Sequence, residues 1–340
     1  MTIDSVLHAL LARINRGGEG DGRSTLARAR AISTLGPLLA LILASIFFTT
    51  RTDRFLTTDN LSLVVQQVAV VGIIAIGQTL VILTAGIDLS AGAVMAFGTI
   101  VMTRLAVTHG LSPFESIALG LATCTGFGLL NGLLVTGLRL PPFIVTLGTL
   151  NIAFALTHIV SNEETIADLP RPLTFFGETF EIGTTAITYG SVLALGLALV
   201  TWFALAQTIG GRHIYATGNN PDAARLAGVR TRRVLIAVYT SAGLLYGIAA
   251  LVLIGRTGVG DPQAGQSANL DSITAVVVGG TSLFGGRGGV IGTVIGTLIV
   301  GIFRNGLQLM GVAAIYQFLV TGVLVIVAVA VDQLSRRRRA

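Results

Sequence analysis

The residues that could do chemistry are few and widely spaced in this chain. Asp88 is the only charge between Asp59 and Arg104, and Asp271 opens a short apolar run. An isolated carboxylate near hydrocarbon is costly and needs a partner or water. Asp88 with Ser90 therefore either breaks a helix and fixes a gate, or caps the third apolar span. Asn131, Asn305, Gln67, Gln78, Thr146 and Thr274 are uncharged hydrogen-bonding groups inside apolar runs. They suit either the hydroxyls of a passing solute or bonds between helices. Asp88, Ser90, Asn131, Thr146, Asp271, Thr274 and Asn305 form the candidate path or gate.

Other chemistry is missing. All 22 cationic residues are arginine, so there is no P-loop lysine and no GxxxxGK[ST] site. An ATPase that drove this chain would be a separate polypeptide. His8, His109, His158 and His213 form no ligand-spaced pair such as HExxH. The single cysteine, Cys124, lies in an apolar run and excludes an intrachain disulfide. With no serine elbow or clustered carboxylate pair, the chain reads as neither an enzyme nor a binder of metal or cofactor. The pI near 10.4 comes from arginines beside apolar spans, where they set membrane orientation rather than bind nucleic acid.

The elements that must position these groups are membrane helices. Of the 340 residues, 52% are hydrophobic and 11% charged, with a mean hydropathy of +0.82. The apolar runs approach or exceed the roughly 20 residues needed to cross about 30 Å of hydrocarbon. Ten spans are expected, at 32–50, 61–84, 89–107, 113–137, 142–160, 187–208, 233–254, 270–284, 288–310 and 314–332. The run at 270–284 is short for a crossing and suits a broken or re-entrant helix. A polar leader (1–31) and a basic tail (333–340) flank the membrane region (32–332). With both termini inside, 16 of the 22 arginines are cytoplasmic, and the acidic stretch Ser161–Ala186 becomes the main external loop.

Asn131-Gly132-Leu133 with Gly137 and Gly148 recurs 174 residues later as Asn305-Gly306-Leu307 with Gly311 and Gly322. An offset of five spans inverts one copy against the other, giving repeat halves near 61–148 and 235–322. Shared small-residue packing would give the same echo. Gly288, Gly292 and Gly296, and Gly128 with Gly132, are spaced for close helix packing. Within the cytoplasmic segment 209–232, Asn220 caps and Pro221 starts a very short helix, Asp222 suits its dipole, and Gly228 stops it. So short a helix persists only if Ala223, Ala224, Leu226 and Ala227 dock on something, which could be another protein.

Here a resemblance enters. Asp222-Ala223-Ala224, followed after Arg225 by Gly228, is similar to the E-A-A-x3-G loop by which binding-protein-dependent ABC importer permeases couple to their ATPase. This chain has Asp for Glu and lacks the later I-x-L-P portion. From about Leu61 to Asp332 the chain resembles the ribose and xylose type of ABC permease. The segments that carry the resemblance are AGIDLS (85–90), LNGLLVT (130–136), LPPFIVTLG (140–148), ATGNN (216–220) and VGGTS (278–282), with FGGRG (284–288) where the family commonly reads SGGRG.

The resemblance implies an all-α polytopic permease of about ten helices, like the type II ABC importers, in a bacterial inner or plasma membrane. It implies a homodimer that takes a monosaccharide from an extracytoplasmic binding protein, while ATP and Mg act in the partner ATPase. The alternative is an ion-coupled secondary transporter, for which Asp88 and Asp271 are the only ion-site candidates. Vesicles holding this chain alone, given an ion gradient and no ATP, are expected to accumulate no sugar. Gradient-driven uptake in that assay favours the secondary transporter.

Overall fold

The computed structural model describes residues 22–183 and 185–337. Most of the leader (1–21) and the last residues of the basic tail (338–340) lie outside the described residues. Five helices come first: α1 (Gly22–Arg51), α2 (Thr58–Leu83), α3 (Ala91–Val107), α4 (Pro113–Gly137) and α5 (Pro142–Ser161). A single helical turn, α6 (Arg171–Thr174), and a hairpin of β1 (Thr179–Ile182) and β2 (Thr185–Thr188) follow. Next are α7 (Tyr189–Gln207), α8 (Ile209–Asn219), α9 (Pro221–Leu226), α10 (Thr231–Thr257), α11 (Ala268–Val278), α12 (Val290–Leu309) and α13 (Ala314–Arg337).

Local chemistry sets the boundaries. Ser112 and Glu115 form a reciprocal capping box ahead of Pro113, and Thr188 accepts from the Ser191 N–H to start α7. Gly258, in the left-handed region, ends α10. Among the described residues, α2, α4, α5, α7, α10 and α12 are long and apolar enough to cross a membrane. Shorter apolar stretches lie in α1, α3, α11 and α13. Together these ten correspond to the ten expected spans.

Three features differ from the sequence reading. Helix α1 begins at Gly22, inside the stretch read as leader. Helix α11 stops at Val278, so its 11 residues reach only about 16 Å, half a bilayer. Residues 279–289 return without helix, and Gly288 lies in that return rather than on α12. Finally, α8 and the hairpin were not foreseen.

Helices α2 and α10 form the axis of the bundle. Their apolar windows are 67% and 56% buried, against 22–28% for α4, α5 and α7. Helix α10 packs on α2, α3 and α4, while α2 packs on α7, α11 and α12. Shifted by 174 residues, α2 would run 232–257, α3 265–281, α4 287–311 and α5 316–335. Those ranges overlie α10, α11, α12 and α13.

Glycine permits the closest crossings. A side chain on Gly128 would meet Tyr239 O at 2.2 Å, and one on Gly243 would meet Cys124 O at 2.4 Å, so α4 and α10 touch backbone to backbone. At the α11–α12 crossing, a Cβ on Gly296 would lie 1.9 Å from Ala275 O, and one on Gly292 2.1 Å from Gly279 O. Gly148 and Gly322 have open space. Replacing Gly296 with Leu is expected to destabilise the protein by at least about 1–3 kcal/mol. Gly148→Ala is expected to be neutral. Thermal melting in detergent compares them, and equal midpoints would sink this account of the crossing.

Candidate functional site

The turn after α2 runs through Thr84, Ala85 (φ 61°) and Gly86, and an extended stretch then leads back into the bundle towards α3. Asp88 ends up 1% exposed and forms no salt bridge among the described residues. Its Oδ1 accepts from Ser90 N (2.8 Å) and Ser90 Oγ (2.6 Å), and its Oδ2 accepts from Tyr246 Oη on α10 (3.2 Å). The network continues outwards. Asn131 Nδ2 on α4 donates to Ser90 Oγ (3.1 Å), and Thr149 Oγ1 on α5 donates to Asn131 Oδ1 (2.8 Å). Thr146 Oγ1 accepts from Leu89 N and sits 3.1 Å from Ile87 O. Gln78 on α2 donates to the Asp88 carbonyl.

Four of the seven candidate path residues, Asp88, Ser90, Asn131 and Thr146, therefore meet in one place, which joins five parts of the bundle. Asp88 lies in the break between α2 and α3, and it is not itself the N-cap of α3. Ser90 occupies the N-cap without a side-chain cap bond, and Asp88 supplies the acceptor for its N–H from two residues upstream. These residues are buried and bond one another, while Gln78 Oε1 and the nearby Tyr239 hydroxyl have no partner among the described residues.

The other three separate. Asn305 forms a reciprocal pair with Asn60 on α2 (2.8 and 3.0 Å), which is helix-to-helix bonding. Thr274 donates to Leu270 O within its own helix. Asp271 pairs with Arg304 Nη1 of α12 at 3.0 Å. That pair lines a cavity of about 340 Å³ between α2, α3, α10, α11 and α12. Gln67, Arg256, Asp261 and Gln308 also reach it. Sequence reasoning treated Arg256 and Arg304 only as orientation charges. Their position at the ends of α10 and α12 that face the same loop was the available signal.

The cavity lies at the hairpin end of the bundle. Ile166 and Gly260 exchange two backbone bonds of 2.8 Å, tying the 162–188 segment to the loop after α10. Arg171 binds Glu178 through Nε and Nη2 (2.7 and 3.1 Å). The hydrogen bond and charge of Arg171 hold the Glu178 carboxyl below its ordinary range.

Helices α8 and α9 occupy the opposite end. Asn220 Oδ1 accepts from Asp222 N (3.1 Å) and Ala223 N (3.0 Å), with Pro221 in the first turn. Gly228 (φ 85°) closes α9, and Val229 N returns to Ala224 O at 3.0 Å. Arg225 pairs with Asp222 at 3.2 Å. Of the expected docking face, Ala224 turns inward and is 4% exposed, whereas Leu226 is 87% exposed. Helix α8 is fastened to the bundle by its backbone. A side chain on Gly218 would lie 1.8 Å from Leu83 O and 2.9 Å from Gly286 N. Gly286 N donates to Leu83 O (2.9 Å), and Tyr215 Oη donates to Gly288 O (2.9 Å). The segments ATGNN, FGGRG and AGIDLS, far apart in sequence, thus converge on one joint.

Residues 60–329 match the family model described as the permease component of the branched-chain amino acid transport system. The chain belongs to this permease family. Among curated members of the permease family, the fructose import permease of Rhizobium meliloti is 46% identical over 307 residues, covering 88% of this chain and 85% of the relative. The ribose import permease of Bacillus subtilis is 40% identical over 301 residues, covering 88% and 92%. That of Escherichia coli K12 is 37% identical over 297 residues, covering 87% and 92%. These relatives are sugar import permeases, although the family as a whole takes its description from branched-chain amino acid transport. They are transporters, not enzymes. Among the described residues of this permease, no three His, Cys, Asp or Glu gather as metal ligands would.

The Asp88 network makes a quantitative demand on the permease. Asp88→Ala would leave the Ser90 and Tyr246 donors buried without an acceptor. The expected loss is about 1–3 kcal/mol of stability, with Asp88→Asn milder because one acceptor oxygen remains. A melting curve for Asp88→Ala that overlays the parent's would contradict this assignment.

Proposed function

We propose that the chain is the membrane subunit of an ATP-driven importer that moves a monosaccharide, of the fructose or ribose class, into the cytoplasm by alternating access. The observation that carries this reading is the 46% and 40% identity to fructose and ribose import permeases along almost the whole membrane region. The two carboxylates an ion-coupled mechanism would need are already engaged, Asp88 by Ser90 and Tyr246 and Asp271 by Arg304, which favours ATP over an ion gradient.

The topology follows from charge. The α8–α9 end carries Arg139, Arg212, Arg225, Arg230, Arg232, Arg233 and Arg287 and faces the cytoplasm with both termini. The hairpin end faces outward, where a sugar-binding protein delivers its cargo. The α2–α5 and α10–α13 halves are inverted copies of one unit, as the 174-residue correspondence of their bounds supports. A second copy of the chain completes the path.

Helix α9 receives work from the ATPase, which holds the ATP and Mg. Its exposed Leu226, with Asp222, Ala223 and Arg225, forms the docking face, and Asn220 and Gly228 hold the helix in shape. Motion of α9 would pass through α8 and the Gly218 joint to Leu83, and so to the Asp88 network and the return after α11.

Leu226→Glu is expected to weaken ATPase association at least about tenfold, or about 1.4 kcal/mol. ATP-dependent sugar uptake falls with it, while membrane insertion and melting are unchanged. Normal co-purification and uptake would refute the docking assignment. Ala224 is unsuited to that test because it is buried within its own chain.

A further inference from the structure

We infer that the 340 Å³ cavity at the hairpin end of each protomer is a resting site for one monosaccharide on its way in. The inference rests on the reading of the chain as a sugar permease and adds the place where the sugar pauses. Nothing in the sequence motifs points there, since the motif residues pack into the Asp88 network and the α8 joint.

Charge decides the ligand class first. Arg256, Arg304, Asp261 and Asp271 all line the cavity, two charges of each sign, so its formal charge balances and it attracts neither anions nor cations as such. The bonding capacity left open decides next. Arg304 bonds only through Nη1, to Asp271 Oδ2 (3.0 Å) and Ser267 Oγ (3.3 Å), leaving Nε and Nη2 without partners among the described residues. The Arg256 side chain has no hydrogen bond or ion pair among those residues, and it lines the same cavity as Arg304. The side-chain amides of Gln67 and Gln308 are likewise unbonded there.

Arg256, Arg304 and Gln308 are exposed at the cavity and Gln67 is half-buried, so water answers them until a ligand that offers what water offers takes its place. A neutral ligand with several donor and acceptor hydroxyls on a small apolar frame does so, and Met95 supplies an apolar wall for its C–H face. Size limits the ligand further. Ligand pockets span about 300–1,000 Å³, so this one sits at the small end and suits a single ring. Exchanging water for hydroxyls one for one gives weak binding, which a transit site needs in order to release its cargo.

The single native thiol makes the test clean. Cys124 is fully buried, so a cysteine placed in the cavity is the thiol a membrane-impermeant methanethiosulfonate reagent will meet. Gln67→Cys and Gln308→Cys are made in the full chain, assembled with its ATPase in proteoliposomes, with Glu164→Cys on the exposed 162–188 segment as the control. Both cavity variants are expected to react with reagent from the hairpin side. D-Fructose or D-ribose at about four times its dissociation constant is expected to slow that reaction about fivefold. Glu164→Cys is expected to react at the same rate with and without sugar, and sucrose to protect neither cavity position. Absence of protection by both monosaccharides, or equal protection by sucrose, overturns the inference. The wild-type complex is assayed for ATP-dependent uptake alongside. Uptake without cavity protection removes the resting site alone, whereas no uptake of any monosaccharide removes the reading of the permease as a sugar importer.

Discussion

Hydrocarbon offers no hydrogen-bond partner, so a polar group carried into it must be answered by another group of the same chain or by trapped water. The architecture around Asp88 follows from that constraint. A carboxylate with no salt bridge among the described residues is held by the Ser90 amide and hydroxyl and by Tyr246, and Ser90 recruits Asn131, which recruits Thr149. Each added group satisfies its neighbour and ties one more helix to the turn after α2. The Asn60–Asn305 pair applies the same logic between α2 and α12. Most buried threonines return their hydroxyls to their own helix, as Thr79, Thr103 and Thr157 do. Among the described residues, the buried side-chain atoms left without a partner are Gln78 Oε1, His158 Nε2, the Thr217 hydroxyl and the Tyr239 hydroxyl.

The second requirement is mechanical. Lipid does not drive helices together as water does, so close backbone approach has to supply the contact. Glycines at the α4–α10 and α11–α12 crossings allow it, and Gly218 extends the same device to α8. The bundle and the α8–α9 unit therefore meet partly through main chain, with the Ile214 and Tyr215 side chains of α8 packing on the core as well. Such a junction transmits displacement with little slack.

Much of this was legible in the sequence. The ten spans could be read because hydrocarbon thickness fixes the length of an apolar run, and α9 because Asn220, Pro221 and Gly228 each have a specific conformational use. The early end of α11 was foreshadowed by Gly279 and Gly280, though the pattern of apolar residues ran on to Phe284. Helix α8 was missed because three glycines among its 11 residues argue against helix, and tertiary contact with Leu83 and Gly286 outweighs that propensity. Four of the seven candidate path residues meet in the Asp88 network, and three lie elsewhere. A buried polar residue announces itself in the sequence, but whether it meets another helix or an open space depends on helix rotation, which no spacing in one chain fixes. Asn131 and Asn305 are separated by the 174-residue offset yet bind different partners. Arg256 and Arg304 were passed over because an arginine at a helix end has an adequate explanation in topology alone.

The seam between α11 and α12 also bears on how such a protein can diverge. At Gly279, Gly292 and Gly296 the opposing atoms are carbonyls and Cα atoms, which cannot rotate aside as a side chain can. A lineage that loses one of these glycines would have to shift a whole helix to recover, and single substitutions do not move helices. Gly148 and Gly322, facing open space, carry no such burden. Variation across descendants should therefore accumulate on the outer helices and around the cavity. There a change of one residue leaves the frame intact.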